Sequence, residues 1–309
     1  MMLRIRTLNF STLLLLAFLL SISQPHSQTP FVSLPSPPHF LLANFPSHPI
    51  PASPLSFQVV PAKEEMTFAV FGDSRPERDL NQPEIFDKIV EKINEVLPDV
   101  IFHTGDIIYG KTEDDANINR QYDDFFKVAK RLRSKMFVTP GNHDIWDPAS
   151  AKIFEQRFGY LYRSVTIGSN NFIILNCELP DNKCLIPAEQ RNWLENELKE
   201  SGKMRRNIFV FVHRPVFPVD GYIGKSMDKF PSERNLLHEL FKSHGVRFVF
   251  SGHEHLYHFQ EKDGVKYVIS GGGGAPLHVG EAKGGFYHFL IFTVKGKEIS
   301  FEVRKIDRR

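Results

Sequence analysis

The sequence predicts an α/β sandwich built on mixed sheets, and three observations point to it. From Met66 to about residue 250, short runs rich in Val, Ile and Phe alternate with amphipathic helical patterns. That is the rhythm of βαβ units with parallel strands. Several of the apolar runs are nearly continuous, as expected where both faces of a sheet are covered. After Gly252 the helical patterns stop and strand patterns follow one another, which adds antiparallel strands. The composition agrees, since 41% hydrophobic and 24% charged residues exclude a wholly disordered or collagen-like chain.

Residues 1–23 read as an export signal. Arg4 and Arg6 form a positive start, residues 10–22 an apolar stretch, and Ser21 and Ser23 a small-residue cleavage pattern. An apolar helix of that length reaches roughly 20 Å, short of the roughly 30 Å hydrocarbon core. The expectation is a periplasmic or secreted protein; an uncleaved segment would instead tether it to the membrane. Residues 24–62 form a Pro/Ser-rich linker, with ten of the chain's 21 prolines between Pro25 and Pro61 and no Asp or Glu before Glu64. Each proline removes a backbone donor and restricts its predecessor, so an extended, polyproline-like tether is expected. Residues 63–309 remain as the folded domain. Because Arg4 and Arg6 carry the whole formal charge of +2, that domain is neutral, which argues against strong nucleic-acid binding.

Within the domain, strands are predicted at 67–71, 100–103, 136–139, 172–176, 208–212 and 246–250. Helices are predicted at 83–97, 118–133, 187–201 and 232–244. The first helix carries Ile85, Phe86, Ile89, Val90, Ile93 and Val96 largely on one face. The third has Pro187 in its first turn and Gly202 past its end, and the fourth has Ser232 as cap and Gly245 as terminator. Strands at 257–260, 265–269, 287–294 and 298–306 complete the pattern, with turns at Asp263-Gly264 and Gly296. Cys177 and Cys184 flank a short loop, and in an exported protein a local disulfide is expected there.

The strand ends carry the chemistry. The first runs into Gly72-Asp73-Ser74-Arg75, the second into Gly105-Asp106-Ile107-Ile108-Tyr109, and the third into Gly141-Asn142-His143-Asp144. The run at 208–212 ends at His213, and the run at 246–250 at Gly252-His253-Glu254-His255. Carboxyl ends of strands are where open α/β sheets place ligands. Carboxylate, amide and imidazole together suit borderline metal ions such as zinc, manganese or iron. Two ions roughly 3.5–4 Å apart would serve in-line displacement at phosphorus. Arg214 and the loop at 220–229 either line the pocket or are a solvated surface, and His103 is a strand residue near the site. The glycines at 271–274 lack the following Lys and helix of a phosphate loop, and are expected to let backbone pass close to the site.

The ordered set Gly-Asp, Gly-Asp-x-x-Tyr, Gly-Asn-His-Asp, Val-x-x-His (Val210 to His213) and Gly-His-x-His resembles the calcineurin-like metallophosphoesterase superfamily, over about residues 66–260. The resemblance implies a four-layer α/β/β/α sandwich with a dinuclear centre. It implies that Asp106 bridges the two ions, that Asn142, His213 and His253 complete the second site, and that Asp73 and His255 serve the first. It implies that His143 contacts phosphate and protonates the leaving group, with Asp144 orienting its ring. Most members read Asp-x-His in the first motif, and here position 75 is Arg. Tyr109 matches the metal-ligating tyrosine of the purple acid phosphatase branch. It would fill the first site as a phenolate favouring iron, or else pack under its loop. Arg75 would then face phosphate or pair with a carboxylate.

The expected function is an exported, dinuclear-metal phosphoesterase that hydrolyses phosphomonoesters by attack of a metal-bridging hydroxide. A phosphodiesterase or nucleotide phosphohydrolase of the same fold is the alternative. From a different class comes a catalytically silent binding protein that uses the Pro-rich arm, against which the full motif set argues. Only about 32 residues separate Tyr109 from Asn142, so no large cap domain is expected over the site.

Overall fold

A computed structural model describes residues 65–79, 81–219 and 222–308. The export segment 1–23 and the linker 24–62 lie outside the described residues. Among those described, no helix is long and apolar enough to cross a membrane. In chain order the elements are β1 Glu65–Phe71, α1 Glu84–Val96, β2 Val100–His103, α2 Asp115–Ala129, β3 Met136–Val138, α3 Pro148–Phe158, β4 Arg163–Ile167 and β5 Asn170–Ile174. There follow α4 Ala188–Lys203, β6 Asn207–Phe211, α5 Pro231–Ser243, β7 Phe248–Ser251, β8 Tyr257–Lys262, β9 Val265–Ser270, β10 His288–Lys295 and β11 Glu298–Lys305. Short 3₁₀ turns occur at Met227–Lys229 and Glu281–Lys283.

Two mixed sheets result, in the orders β11-β10-β1-β2-β3 and β4-β5-β6-β7-β9-β8. In the first, β1, β2 and β3 are parallel while β10 and β11 are antiparallel. In the second, β5, β6, β7 and β9 are parallel, flanked by antiparallel β4 and β8. Strand alternation explains the continuous apolar runs. In β1, Phe68 and Val70 face a core between the sheets, shared with Phe102, Phe172, Phe209, Phe250 and Phe292. Ala69 and Phe71 face the opposite way, into a second core with α1, α2 and α3. The outer face of the other sheet packs Ile208, Val210 and Val249 against Leu194 and Leu198 of α4 and Leu237 and Phe241 of α5. The order of layers is therefore α/β/β/α, as the motif resemblance implied.

The differences from the sequence reading have local causes. α3 has a short apolar stripe, and its signal lies in its ends. Asp147 and Ser150 form a capping box, Pro148 opens the helix, and Gly159 closes it at φ 77°. β4 is a polar edge strand joined to β5 through a turn at Gly168. Ser232 is not a cap, because α5 begins one residue earlier at Pro231, with Phe230 at the cap position. Gly202 lies inside the last turn of α4, which runs on to Lys203. The expected disulfide is not formed: Cys177 and Cys184 are free, buried thiols. The Cys177 thiol points to Glu178 Oε1 at 3.5 Å and that of Cys184 to Lys225 O at 3.9 Å, so each has a separate acceptor.

Candidate metal centre

The centre is built from turns that leave β1, β2, β3, β6 and β7 at their carboxyl ends. Asp73, Asp106 and His253 hold positive φ values of 56°, 59° and 68°, a region that non-glycine residues seldom occupy and that often marks functional turns. The glycines beside them allow close approach. A Cβ on Gly141 would lie 2.3 Å from Asp106 Oδ1, and one on Gly252 would lie 2.4 Å from Asp73 Oδ2. The 271–274 segment also passes against the site, with Gly273 N donating to Gly72 O at 2.7 Å and Ala275 N to Asp73 O at 2.8 Å.

Asp73, Asp106 and His213 are buried and offer ligand atoms that all lie within 4.8 Å of one another. Asp106 accepts from His143 N at 2.8 Å and faces His213 Nε2 at 3.3 Å. Asp73 accepts from His253 N at 3.0 Å and faces His255 Nε2 at 3.4 Å. Backbone carbonyls set the imidazoles: His213 Nδ1 donates to Thr104 O at 2.8 Å, His255 Nδ1 to Pro276 O at 2.6 Å, and His143 Nδ1 to Tyr109 O at 2.6 Å. With Nδ1 carrying the hydrogen, the Nε2 lone pairs of all three rings are left for the site, the usual preparation of a ligating histidine.

The donor set fits a cation. His213 Nε2 lies 3.3 Å from both Asp106 Oδ1 and Asn142 Oδ1, so lone pairs converge with only a proton available to hold them apart. Burial alone would lower the His213 pKa, yet the Asp106 and Asp73 carboxylates lift it to about 10. Burial raises Asp73; in Asp106 the same burial is outweighed by His213 and His143, which hold it well below the usual carboxylate range. Burial pulls His143 down to about 4 against the attraction of Asp106, which leaves it neutral near pH 7.

The remaining sequence-predicted residues fall as follows. Arg75 Nε lies 3.7 Å from Asp106 Oδ2. Tyr109 is half-buried, with its ring 6.1 Å from that of His143. His253 stands edge-on to His213 at 5.2 Å, and its Nε2 meets Arg214 Nη1 at 3.1 Å. Asp144 requires a correction, because its carboxylate does not orient the His143 ring. It accepts instead from Asp106 N and Gly141 N at 2.8 Å each and from Ile107 N at 3.0 Å. The His143 ring hydrogen goes to the Tyr109 carbonyl. His103 is fully buried; Nδ1 accepts from Gly105 N at 3.1 Å, and Nε2 reaches Ser74 Oγ at 3.1 Å.

Sequence reasoning missed Glu178 and His278 here, and left Arg214 and the 220–229 loop that carries Tyr222 open between pocket lining and solvated surface. Arg214 is no surface residue: it pairs in two-pronged fashion with fully buried Glu178, at 2.6 and 3.1 Å. Tyr222 and His278 line the His253–His255 side through ring contacts. An acidic residue just after a strand was the one available signal for Glu178; Tyr222 had only its place in the 220–229 loop, and His278 had none.

The calcineurin-like phosphoesterase profile matches residues 66–257. Bovine serine/threonine-protein phosphatase CPPED1 is 28% identical over 183 residues, 55% of this chain and 58% of that protein. A probable cyclic nucleotide phosphodiesterase of Coxiella burnetii is 28% identical over 163 residues, 51% of this chain and 60% of that protein. The chain thus spans less than two thirds of the length of the curated relatives it matches. Among solved structures, purple acid phosphatase PPD1 of yellow lupin superposes with a TM-score of 0.63 at 20% identity, over 78% of this chain and 51% of that one, a likeness of fold. With the profile matched over more than half its length and the motif residues gathered at one set of strand ends, the chain belongs to the calcineurin-like phosphoesterase family.

Proposed function

We propose that this protein is a metal-dependent phosphomonoesterase, exported by its N-terminal segment, with two ions held at the strand ends. Asp106 would be shared by both ions; Asn142, His213 and His253 would hold one, and Asp73, His255 and Tyr109 the other. The observation that carries this reading is the convergence of Asp73, Asp106 and His213 within 4.8 Å, with His213 Nε2 facing two oxygen acceptors. When bound, such ions supply Lewis-acid activation of the ester and of the attacking water.

The chain's own residues do the rest. The Tyr109 carbonyl holds the His143 ring by Nδ1, which leaves Nε2 free to take a proton and pass it to the leaving-group oxygen. An anionic phosphate beside this ring favours its protonated form, so substrate binding itself prepares the acid. The Arg75 guanidinium adds fixed positive charge next to Asp106.

The test is a panel of aryl monoester, diester and nucleotide substrates on metal-reconstituted full chain, with Asp106→Ala and His143→Ala as controls. Monoester turnover that collapses in both variants is expected. A shared background rate across all three proteins, with bound metal verified, overturns the enzyme reading. The Coxiella relative supports a second reading, and faster diester than monoester turnover would select it.

A further inference from the structure

One wall of the centre carries polar side chains with no role so far. His278 lies flat on His255, ring centroids 3.9 Å apart at 17°. Since Pro276 O holds the edge of the same ring, residues 276–278 grip His255 on two sides. The His255 backbone N–H donates to His278 Nδ1 at 3.4 Å. A nitrogen that accepts cannot carry the hydrogen, so neutral His278 bears it on Nε2 and is a donor there. Tyr222, from the loop after β6, brings its hydroxyl to His278 Nδ1 and lies 3.1 Å from Nε2. The Tyr222 ring stands edge-on to His253 at 5.4 Å and 81°.

Arg75 completes the wall. Its Nη1 donates to Pro76 O at 3.0 Å, whereas Nε is buried without a hydrogen-bond partner. That Nε faces the Asp106 carboxylate, 3.7 Å from Oδ2, so the guanidinium stands beside the centre with its charge directed at it. Arg75 is also an electrostatic neighbour of both Tyr222 and His278, and Tyr222 of Asp73 and Asp106 as well. Tyr222 and His278 therefore stand on the His253–His255 side of the centre, and Arg75 stands beside Asp106.

We propose that Arg75, Tyr222 and His278 form an oxyanion seat for the non-ester oxygens of the bound phosphate, with His143 kept for the leaving group. The inference rests on the phosphoesterase reading and deepens it. A monoester presents three non-ester oxygens and a diester only two, so a seat with three donors selects the monoester. The Tyr222 hydroxyl hydrogen turns from His278 to the ligand by rotation about its C–O bond, with no movement of the ring.

The experiment uses manganese-loaded full chain and inorganic phosphate as probe, titrated by calorimetry beside metal content and p-nitrophenyl phosphate kinetics. Tyr222→Phe and His278→Ala are each expected to retain metal and to weaken phosphate binding about tenfold, the effect of losing one hydrogen bond to a charged group. KM for the aryl monoester should rise in step. The seat is refuted if both variants bind phosphate within twofold of wild type, or if wild type binds none. It is refuted equally if phosphate affinity falls only in proportion to lost metal, which would make the pair a brace for His255. Tyr222-dependent phosphate binding without ester hydrolysis sustains the seat and overturns the proposed function. Ester hydrolysis with phosphate binding insensitive to both variants does the reverse.

Discussion

Replacing Asp144 by Asn keeps the size of the side chain and removes its charge, and the outcome separates two views of the residue. In the structure Oδ2 serves Asp106 N and Gly141 N while Oδ1 serves Ile107 N. Asn has one oxygen. Turned toward the Oδ2 pair, its amide nitrogen faces the Ile107 N–H, donor against donor. That removes one hydrogen bond to a charged group, about 1.5–3 kcal/mol, and weakens two others by roughly 0.5 kcal/mol each as they become neutral. A loss of about 3 kcal/mol should lower the Tm of a domain of this size by roughly 6–12 °C. The strain falls on the turns that carry Asp106 and Asn142, so metal affinity should fall too.

Burial and the neighbouring Asp106 push the Asp144 carboxyl up to about 7, so the comparison belongs at pH 8, where the wild-type group is ionised. Calorimetric melting, metal content and steady-state kinetics on Asp144→Asn then give three readings. If Asp144 acted on the His143 ring, Tm and metal content would stay at wild-type values while kcat alone dropped. That pattern would refute the tether between turns.

Three further outcomes follow from the packing and the site. Phe68 is fully buried among Phe172, Phe209 and Phe292, with centroids 5.2, 5.1 and 4.8 Å away; Phe68→Ala should cost about 3–5 kcal/mol in urea unfolding, and a loss under 1 kcal/mol would contradict the packing. His288 is buried between Ser270 Oγ and Phe286 O, and burial lowers its pKa to about 4. Because the unfolded chain takes up that proton near pH 6.5, this stability is complete above about 6.5 and is lost toward pH 4, by about 3 kcal/mol. His288→Gln should flatten that acid limb, and an unchanged slope would assign it elsewhere. Iron-loaded protein should show a visible tyrosinate-to-iron band that Tyr109→Phe abolishes, whereas an unaltered spectrum and metal content would leave Tyr109 as loop packing.

Much of the fold was legible because the cores need unmistakable residues. The run at 67–71 reads as a strand through Phe68, Ala69, Val70 and Phe71, which alternate between two apolar layers. Pairing was not legible. β1 lies between β2 and β10, with Glu65 opposite Lys295, partners 230 residues apart. Nothing local in either strand names the other, since both present apolar side chains to both faces. α3 went unread for the opposite reason: its clearest evidence sits in Asp147, Ser150 and Gly159 at its ends, while the apolar residues it buries, Ala151, Ile153 and Phe154, make only a short stripe.

At the site, legibility follows the backbone. Asp73, Asp106 and His253 were readable because each occupies a turn whose glycine neighbour leaves space for a close approach. A spacing identifies which residues reach a strand end, yet it does not determine which of two neighbours turns inward. His143 and Asp144 are adjacent, but only His143 presents its side chain as a site ring; Asp144 turns back to hold three backbone N–H groups. The residues missed or left open depend on contacts across long stretches of chain. His278 reaches His255 from 23 positions away, Arg214 reaches Glu178 from 36, and Tyr222 reaches His278 from 56. The motif residues therefore mark where a metal belongs, and the surrounding loops decide what reaches it. By that reasoning, what binds beside a metal at this site is better read from Tyr222, His278 and Arg75 than from the motifs this family shares.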